Sequence, residues 1–245
     1  VGFPGWHIEC SAMSMKYLGE QFDIHTGGVD NIFPHHNNEI AQSESATGKT
    51  FVNYWLHNAH LQTKGETASK SRGNVFLLDD VIEKGINPLS YRYLVLTSNY
   101  DSPVNFTWEA LEGSATALSR LYERFESMPD EGEADENYLA LFKGFVNDNL
   151  NTPRGLALAW ELLKDDEIPD DSKKATLLDF DKVLGLGLDK LETAETPDEI
   201  QVLVHEREKA RINKDWSESD RLRDEISGLG FEVKDTPEGP KVSLK

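Results

Sequence analysis

Three residues of the types that bind metal ions, Cys10, His35 and Glu39, occur early in a chain that contains one cysteine. His35 and Glu39 stand four residues apart at the start of a predicted helix, Asn37 to Thr47, so that one helical turn places both side chains on the same face. Thiolate, imidazole and carboxylate are the three ligand types that zinc accepts. Spacing alone nevertheless favours the plainer alternative, a small buried cysteine and a His–Glu pair without a metal.

The composition is that of a globular protein, with 38% hydrophobic residues among 245 and a net charge of −19. We find no apolar run near the roughly 18 residues that a membrane span requires, and a lone cysteine predicts a reducing, cytoplasmic location. The acidity is concentrated in residues 126–200, whereas residues 201–245 carry 9 basic and 10 acidic residues. The C-terminal segment is therefore the part that we expect to be able to meet RNA.

Strands and helices alternate in the first third of the chain. The pattern predicts a helix from Ile8 to Leu18, a strand from Phe22 to His25 that runs into a turn at Thr26–Gly28, a helix at 38–47 and a strand within Phe51–Leu61. A polar stretch from Gly65 to Gly73 is predicted to be an exposed loop. This alternation indicates the second half of a doubly wound α/β nucleotide-binding domain, which we assign to residues 1–78.

The remainder of the chain is predicted to be mainly helical. Helices at 79–84, 88–97, 107–127, 136–149, 152–164 and 172–184 would form connecting helices and a bundle over residues 79–196. Thr152 is predicted to cap the 152–164 helix, with Pro153 at its first position. Helices at 198–213 and 216–227 and a hairpin around residues 235–239 would form a small unit over residues 197–245.

Three strings carry a resemblance to a known family: Pro4 to Ser11, Asp23 to Glu39, and Ala68 to Asn74. In this order and spacing they resemble the C-terminal half of cysteinyl-tRNA synthetase, a class I aminoacyl-tRNA synthetase, and the resemblance extends through Asp235–Gly239. It implies cytoplasmic ATP-dependent activation of cysteine and transfer of cysteine to tRNA(Cys), by a protein that is a monomer at full length. It also implies an N-terminal half with a fourth zinc ligand, which is not in this sequence, so a truncated chain, half of a split enzyme and a relic stay open as alternatives.

The resemblance implies specific roles around the bound amino acid. Cys10, His35 and Glu39 match the family's ligands to one Zn²⁺ per subunit, which binds the thiol of the substrate cysteine. Trp6 and His25 match residues beside the bound amino acid, although an ordinary core aromatic is the alternative for Trp6.

Further matches concern ATP, which the family uses with Mg²⁺. Gly27 and Gly28 are expected to let the backbone approach the nucleotide, with Asp30 at a ribose hydroxyl. His57 and Asn58 match a strand near the adenine. We expect His36 and His7 to be structural.

The predicted loop contains a modified signature, Thr67-Ala68-Ser69-Lys70-Ser71. Lys70 matches the second lysine of the family's Lys-Met-Ser-Lys-Ser motif and is the expected catalytic cation at the ATP phosphates. Thr67 and Ala68 replace the motif's first lysine and its methionine, so one cation is missing.

Two alternatives to a tRNA ligase remain at this point. The altered signature is compatible with a non-catalytic tRNA-binding or regulatory fragment. A mycothiol-pathway ligase, which transfers cysteine to an amino sugar, would share the zinc and adenylation chemistry but lack the C-terminal unit. Basic and aromatic residues of that unit are candidate RNA contacts, and a solvated helix face explains them equally well: Arg207, Lys209, Arg211, Lys214, Trp216, Arg221 and Arg223.

Overall fold

A two-stranded parallel sheet flanked by helices organises the first third of the chain. In the computed structural model, which describes residues 5–63, 66–67, 76–191, 197–236 and 239–244, α1 (His7–Leu18) leads to β1 (Phe22–Gly28), and α2 (Asn37–Thr47) leads to β2 (Val52–Asn58). Gly19, with a φ of 98°, and Gly48, with a φ of 71°, follow the two helices because backbone at positive φ suits glycine. The predicted strand–helix alternation is therefore present.

The strand β1 is longer than the sequence predicts. It pairs with β2 in parallel from Phe22 opposite Val52 to Gly28 opposite Asn58. The prediction of a turn at Thr26–Gly28 is wrong, because these residues continue the ladder instead of leaving it. A single 3₁₀ turn, Val29–Asn31, follows immediately, and a short irregular helical segment, Ile32–His36, joins it to α2.

A second small sheet contains three strands that the sequence did not indicate. β3 (Leu61–Thr63) pairs antiparallel with β4 (Glu66–Thr67) and parallel with β5 (Val104–Phe106). The prediction of a loop over Gly65–Gly73 is therefore wrong at residues 66–67. Residues 64–65 and 68–75 lie outside the described part of the chain.

Helices dominate the rest of the first compact unit, which ends at Leu188. They are α3 (Leu78–Glu83), α4 (Leu89–Leu96), α5 (Trp108–Glu126), α6 (Glu136–Asn147), α7 (Thr152–Lys164) and α8 (Asp170–Leu184). The cap of α7 is Asn151, whose side chain accepts a hydrogen bond from the Arg154 N–H at 3.3 Å, so the predicted cap at Thr152 is one residue late. Leu111, Leu118 and Leu121 line the buried side of α5, and Phe142 of α6 stacks on Phe180 of α8 with ring centroids 4.1 Å apart.

The second compact unit, Asp189–Lys245, has its own core. It contains α9 (Asp198–Ile212), α10 (Trp216–Gly228) and the antiparallel pair β6 (Phe231–Thr236) and β7 (Gly239–Leu244). Ile200, Val204, Ile226 and Val233 form its buried cluster, which confirms the predicted helices and hairpin. The boundaries at residues 78 and 196 stay predictions. Within the described residues, no helix combines the length and apolar character needed to cross a membrane.

Candidate zinc and nucleotide site

Cys10, His35 and Glu39 come together where α1 packs against α2. Ser11 of α1 donates a hydrogen bond to Gln42 of α2 at 3.2 Å, which holds the helices side by side. One ligand atom from each of the three residues lies within 4.8 Å of the other two. Residues that are 25 positions apart in the chain therefore share one small volume with the chemistry of a zinc site.

Glu39 is the centre of this cluster and is fully buried. Its Oε2 accepts a hydrogen bond from His25 Nε2 at 2.7 Å. Its Oε1 lies 2.7 Å from His35 Nε2, but the two atoms are not oriented as a hydrogen bond, and Oε1 has no other partner among the described residues. A buried carboxylate oxygen without a partner is costly. A cation bound by both Oε1 and Nε2 would remove that cost, so these residues fit a metal ion.

The thiol of Cys10 is protonated in this setting. Burial raises its pKa most, and the negative charges of the neighbouring Glu39 and Glu9 raise it further. Metal-ligating cysteines are thiolates, and a coordinated cation supplies the positive charge that favours the thiolate. Without a cation, the acidic surroundings of Cys10 disfavour a thiolate. A bound divalent cation would balance that negative charge.

Trp6 and His25 both reach the cluster. Trp6 is 66% exposed, so it is not part of the core of the described residues, and its ring centroid lies 4.4 Å from that of His35. His25 projects from β1 and connects the cluster to β2, because its ring also packs 4.8 Å from that of Trp55. Both residues predicted to lie beside the amino acid are thus next to the metal ligands.

The predicted nucleotide residues lie at the carboxyl ends of the parallel strands. Gly27 is opposite His57, and Gly28 is opposite Asn58. A Cβ atom on Gly28 would lie 2.3 Å from Asp30 Oδ1, so this position requires glycine as long as Asp30 keeps its place. In parallel sheets, ligands bind at this edge. Five of the six residues predicted to bind ATP therefore lie where such a fold binds a nucleotide, and the sixth, Lys70, lies outside the described residues.

One feature of this region was absent from the predictions. His36 Nδ1 and His57 Nε2 are 2.7 Å apart, and burial lowers the pKa of His36 to about 4. His36 is therefore a neutral imidazole near neutral pH. In the sequence, only the adjacent pair His35–His36 pointed to this feature. Spacing could not show that the His35 ring faces Glu39 whereas the His36 ring faces the sheet.

The signature loop contributes less to the described structure. Thr67 ends the short strand β4, whereas Ala68, Ser69, Lys70 and Ser71 lie outside the described residues. Their predicted roles stay predictions.

In the second unit, several predicted RNA contacts have partners within the protein. The guanidinium of Arg207 is 1% exposed and donates two hydrogen bonds to Asp235, at 2.8 and 2.9 Å. Arg211 and Arg223 also contact Asp235, while Arg221 lies between two glutamates of α10. The prediction that Arg207 meets RNA is therefore wrong, since its side chain is buried in an internal ion pair. Five of the seven candidates remain exposed: Lys209, Lys214, Trp216, Arg221 and Arg223.

Comparison with known proteins decides the family. A family model described as the class I (C) tRNA synthetase catalytic domain matches residues 1–116, and one described as the cysteinyl-tRNA ligase anticodon-binding domain matches residues 193–240. The chain is 47% identical, over 98% of its length, to cysteine–tRNA ligase 1 of Burkholderia lata, of which it covers 52%. The chain belongs to the cysteinyl-tRNA synthetase family.

Other members of this family show similar agreement. The cysteine–tRNA ligase of Chlamydia muridarum is 40% identical, and the match covers 98% of this chain and 56% of that protein. The cysteine–tRNA ligase of Brachyspira hyodysenteriae is 39% identical, and the match covers 100% of this chain and 56% of that protein. The chain thus spans about half the length of the relatives it matches. The predicted fold class is confirmed: part of a class I Rossmann-type domain, then helices, then a small helix and hairpin unit.

Proposed function

We propose that this chain acts in a cysteine–tRNA ligase that binds cysteine through Zn²⁺, forms cysteinyl-adenylate from ATP and transfers cysteine to tRNA(Cys). One observation carries the proposal: in a member of this family, ligand atoms of Cys10, His35 and Glu39 lie within 4.8 Å of one another, and the buried Oε1 of Glu39 has no hydrogen-bond partner within the described residues. A cytoplasmic monomer is the state that we propose for the complete enzyme.

Cys10, His35 and Glu39 would hold the zinc ion. When bound, Zn²⁺ supplies a Lewis acid that prefers the sulfur of cysteine to the hydroxyl of serine, and so gives selectivity for the thiol. His25 fixes the orientation of Glu39 by donating to its second oxygen. The exposed ring of Trp6 covers one side of His35 and would contact the side chain of the amino acid.

ATP would bind beside this site, at the carboxyl ends of β1 and β2. Gly27 and Gly28 would allow the backbone to approach the nucleotide, and the exposed carboxylate of Asp30 would accept hydrogen bonds from ribose hydroxyls. His57 and Asn58, directly opposite the glycines, would contact the adenine. This arrangement would place the α-phosphate toward the amino acid carboxylate.

Charge on the phosphates would be neutralised by Lys70 and by Mg²⁺ bound to ATP. A positioned cation stabilises the charge that develops as the carboxylate attacks phosphorus and pyrophosphate leaves. Thr67 and Ala68 offer no cation at the positions that they occupy in the signature.

The match to an anticodon-binding model favours tRNA over an amino sugar as the acceptor, because the amino-sugar ligase is expected to lack that unit. Exposed Lys209 and Lys214 would contact phosphates, and Trp216 would offer a ring for stacking. The replaced residues Thr67 and Ala68 favour one other candidate, a non-catalytic RNA-binding protein.

Zinc content and cysteine-dependent pyrophosphate exchange together test the proposal. The purified whole protein, with its N-terminal half, should hold one zinc per chain, and Cys10→Ser should lose most of the metal and the exchange activity. Met13→Ser is the matched control, since it makes an exposed serine on the same helix. Unchanged zinc in Cys10→Ser would refute the ligand set, whereas a zinc-loaded wild type without exchange would support the non-catalytic candidate.

A further inference from the structure

His36 occupies the space between the metal cluster and the predicted nucleotide site. It follows His35 directly, yet its ring is 4% exposed and turns toward the sheet. Ring centroids of His25 and Trp55 lie 4.7 and 4.8 Å from that of His36. The ring is therefore packed against a side chain of each strand.

The same ring limits the space beside β1. A Cβ atom built on Gly27 would lie 2.6 Å from His36 Cε1 and 3.1 Å from Asn31 Nδ2. Contacts under 3.0 Å do not occur for real Cβ atoms, so the imidazole edge rests directly on the backbone at Gly27. His36 thus takes up the volume that a side chain at position 27 would need.

Within the described part of the chain, the side-chain hydrogen bond of His36 is with His57. His36 Nδ1 and His57 Nε2 are 2.7 Å apart, a hydrogen bond in which one nitrogen donates and the other accepts. Because each neutral imidazole has one donor and one acceptor, this bond also decides the state of His57 Nδ1. When His36 donates, Nδ1 of a neutral His57 carries the proton and is a donor; when His57 donates, its Nδ1 is an acceptor, so the direction of this bond sets the role of that nitrogen.

We propose that His36 is a positioning residue for the nucleotide: it fixes the orientation and tautomer of His57, and its ring holds the backbone at Gly27 in place. The inference rests on the proposed function, since it takes the ligand at this edge to be ATP. His36 is not a catalytic residue, because it acts through His57 and Gly27. A ring that merely filled space would stabilise the fold without favouring one substrate.

Steady-state kinetics separate these two roles. His36→Leu keeps much of the volume and loses the hydrogen bond, whereas His36→Asn keeps a polar atom near the position of Nδ1. Loss of a hydrogen bond of ordinary strength predicts a rise of about five- to tenfold in the KM for ATP in His36→Leu. His36→Asn should recover most of it, and both variants should keep the zinc content and the KM for cysteine of the wild type.

The matched control is His205→Leu, which makes the same substitution at an exposed histidine of α9 and should change none of these constants. Equal losses for ATP and cysteine in His36→Leu, or a His36→Asn variant as impaired as His36→Leu, would overturn the positioning role.

A double-mutant cycle tests the contact with Gly27. Gly27→Ala in the wild type forces a clash with the ring and should raise the KM for ATP. In a His36→Ala background the same substitution has room, so its additional effect should largely disappear. Independent, multiplicative effects on KM would contradict the contact.

Failure of this inference can be told apart from failure of the proposed function. A zinc-loaded wild type without cysteine-dependent exchange would refute the proposed function alone. The tautomer of His57, read from the ¹⁵N shifts of labelled imidazoles, needs no activity and should differ between the wild type and His36→Leu. An unchanged His57 tautomer would overturn the role of His36 whatever the exchange assay shows.

Discussion

Replacing Asp235 by asparagine should weaken the second unit measurably. Asp235 accepts two hydrogen bonds from the buried guanidinium of Arg207 and also contacts Arg211 and Arg223. Asparagine removes the negative charge and turns an amide NH₂ toward a guanidinium donor. The variant therefore leaves a buried cation without a charged partner.

The magnitude follows from the burial of the two partners. Breaking a fully buried ion pair costs about 3–5 kcal/mol. The side chain of Asp235 is 33% exposed, so water compensates part of this loss, and we expect about 2 kcal/mol for Asp235→Asn. A loss of that size raises the opening equilibrium of the unit by about thirtyfold.

Hydrogen exchange measured on peptides from α9 and α10 reports this opening in the intact protein. Amides of both helices should exchange about thirtyfold faster in Asp235→Asn, while peptides from α5 should not change. Asp224→Asn provides the control, because it removes one exposed carboxylate from α10 in the same unit. Equal protection in Asp235→Asn and Asp224→Asn would refute the reasoning.

The same ion pair predicts a dependence on pH. Hydrogen bonds from Arg207, and the charges of Arg207, Arg211 and Arg223, hold the pKa of Asp235 below its ordinary value. A carboxyl group with a lowered folded pKa stabilises the fold above the unfolded pKa of about 4 and loses that contribution as the pH falls through the folded value. The difference between the wild type and Asp235→Asn should therefore shrink below about pH 4.

Three further predictions concern the first compact unit. Lys70→Ala should slow pyrophosphate exchange by a factor on the order of 10², as for other groups that stabilise developing charge; a loss below about threefold would mean that the modified loop works differently. Gly28→Ala should raise the KM for ATP with unchanged zinc content, because its Cβ would displace Asp30, and a normal KM would argue against Asp30 at the ribose. Thr107→Ala should lower the free energy of unfolding by about 1 kcal/mol in urea titrations, since Thr107 caps α5; Thr107→Ser should restore it, and equal losses in both variants would contradict the cap.

The helices are the part of the fold that the sequence predicts best. The predicted helix at 107–127 is found at Trp108–Glu126, and that at 198–213 is found at Asp198–Ile212. Caps, glycine stops and apolar periodicity are local signals, and they survive in a single sequence. The cap of α7 at Asn151 shows the usual limit of one or two residues.

Short strands are less predictable because their partners are distant in the chain. Val104–Phe106 is three residues long and becomes a strand only by pairing with Leu61–Thr63. Gly27 and Gly28 suggested a turn, but their pairing with His57 and Asn58 keeps them extended. Pairing of this kind is a tertiary effect that overrides local preference.

The candidate site also depends partly on local spacing and partly on contacts between distant residues. Spacing joins His35 to Glu39, whereas Cys10 reaches them only through the packing of α1 on α2, so its place in the set came from the family resemblance. No spacing signals the bond between His36 and His57. For Arg207 the sequence predicted a contact that the structure contradicts. A basic residue on a helix suggested RNA contact, but its side chain is buried in the fold.

The parallel register of β1 and β2 constrains how this region can tolerate inserted residues. His25 is paired with Trp55, Gly27 with His57 and Gly28 with Asn58. Because side chains alternate between faces, a single residue inserted within either strand would turn the following positions to the opposite face and break all of these pairs together. Insertions and deletions should therefore be confined to the connections outside the two strands. The stretch around Gly48 is one such connection, and a longer loop there would leave the pairing of β1 with β2 unchanged.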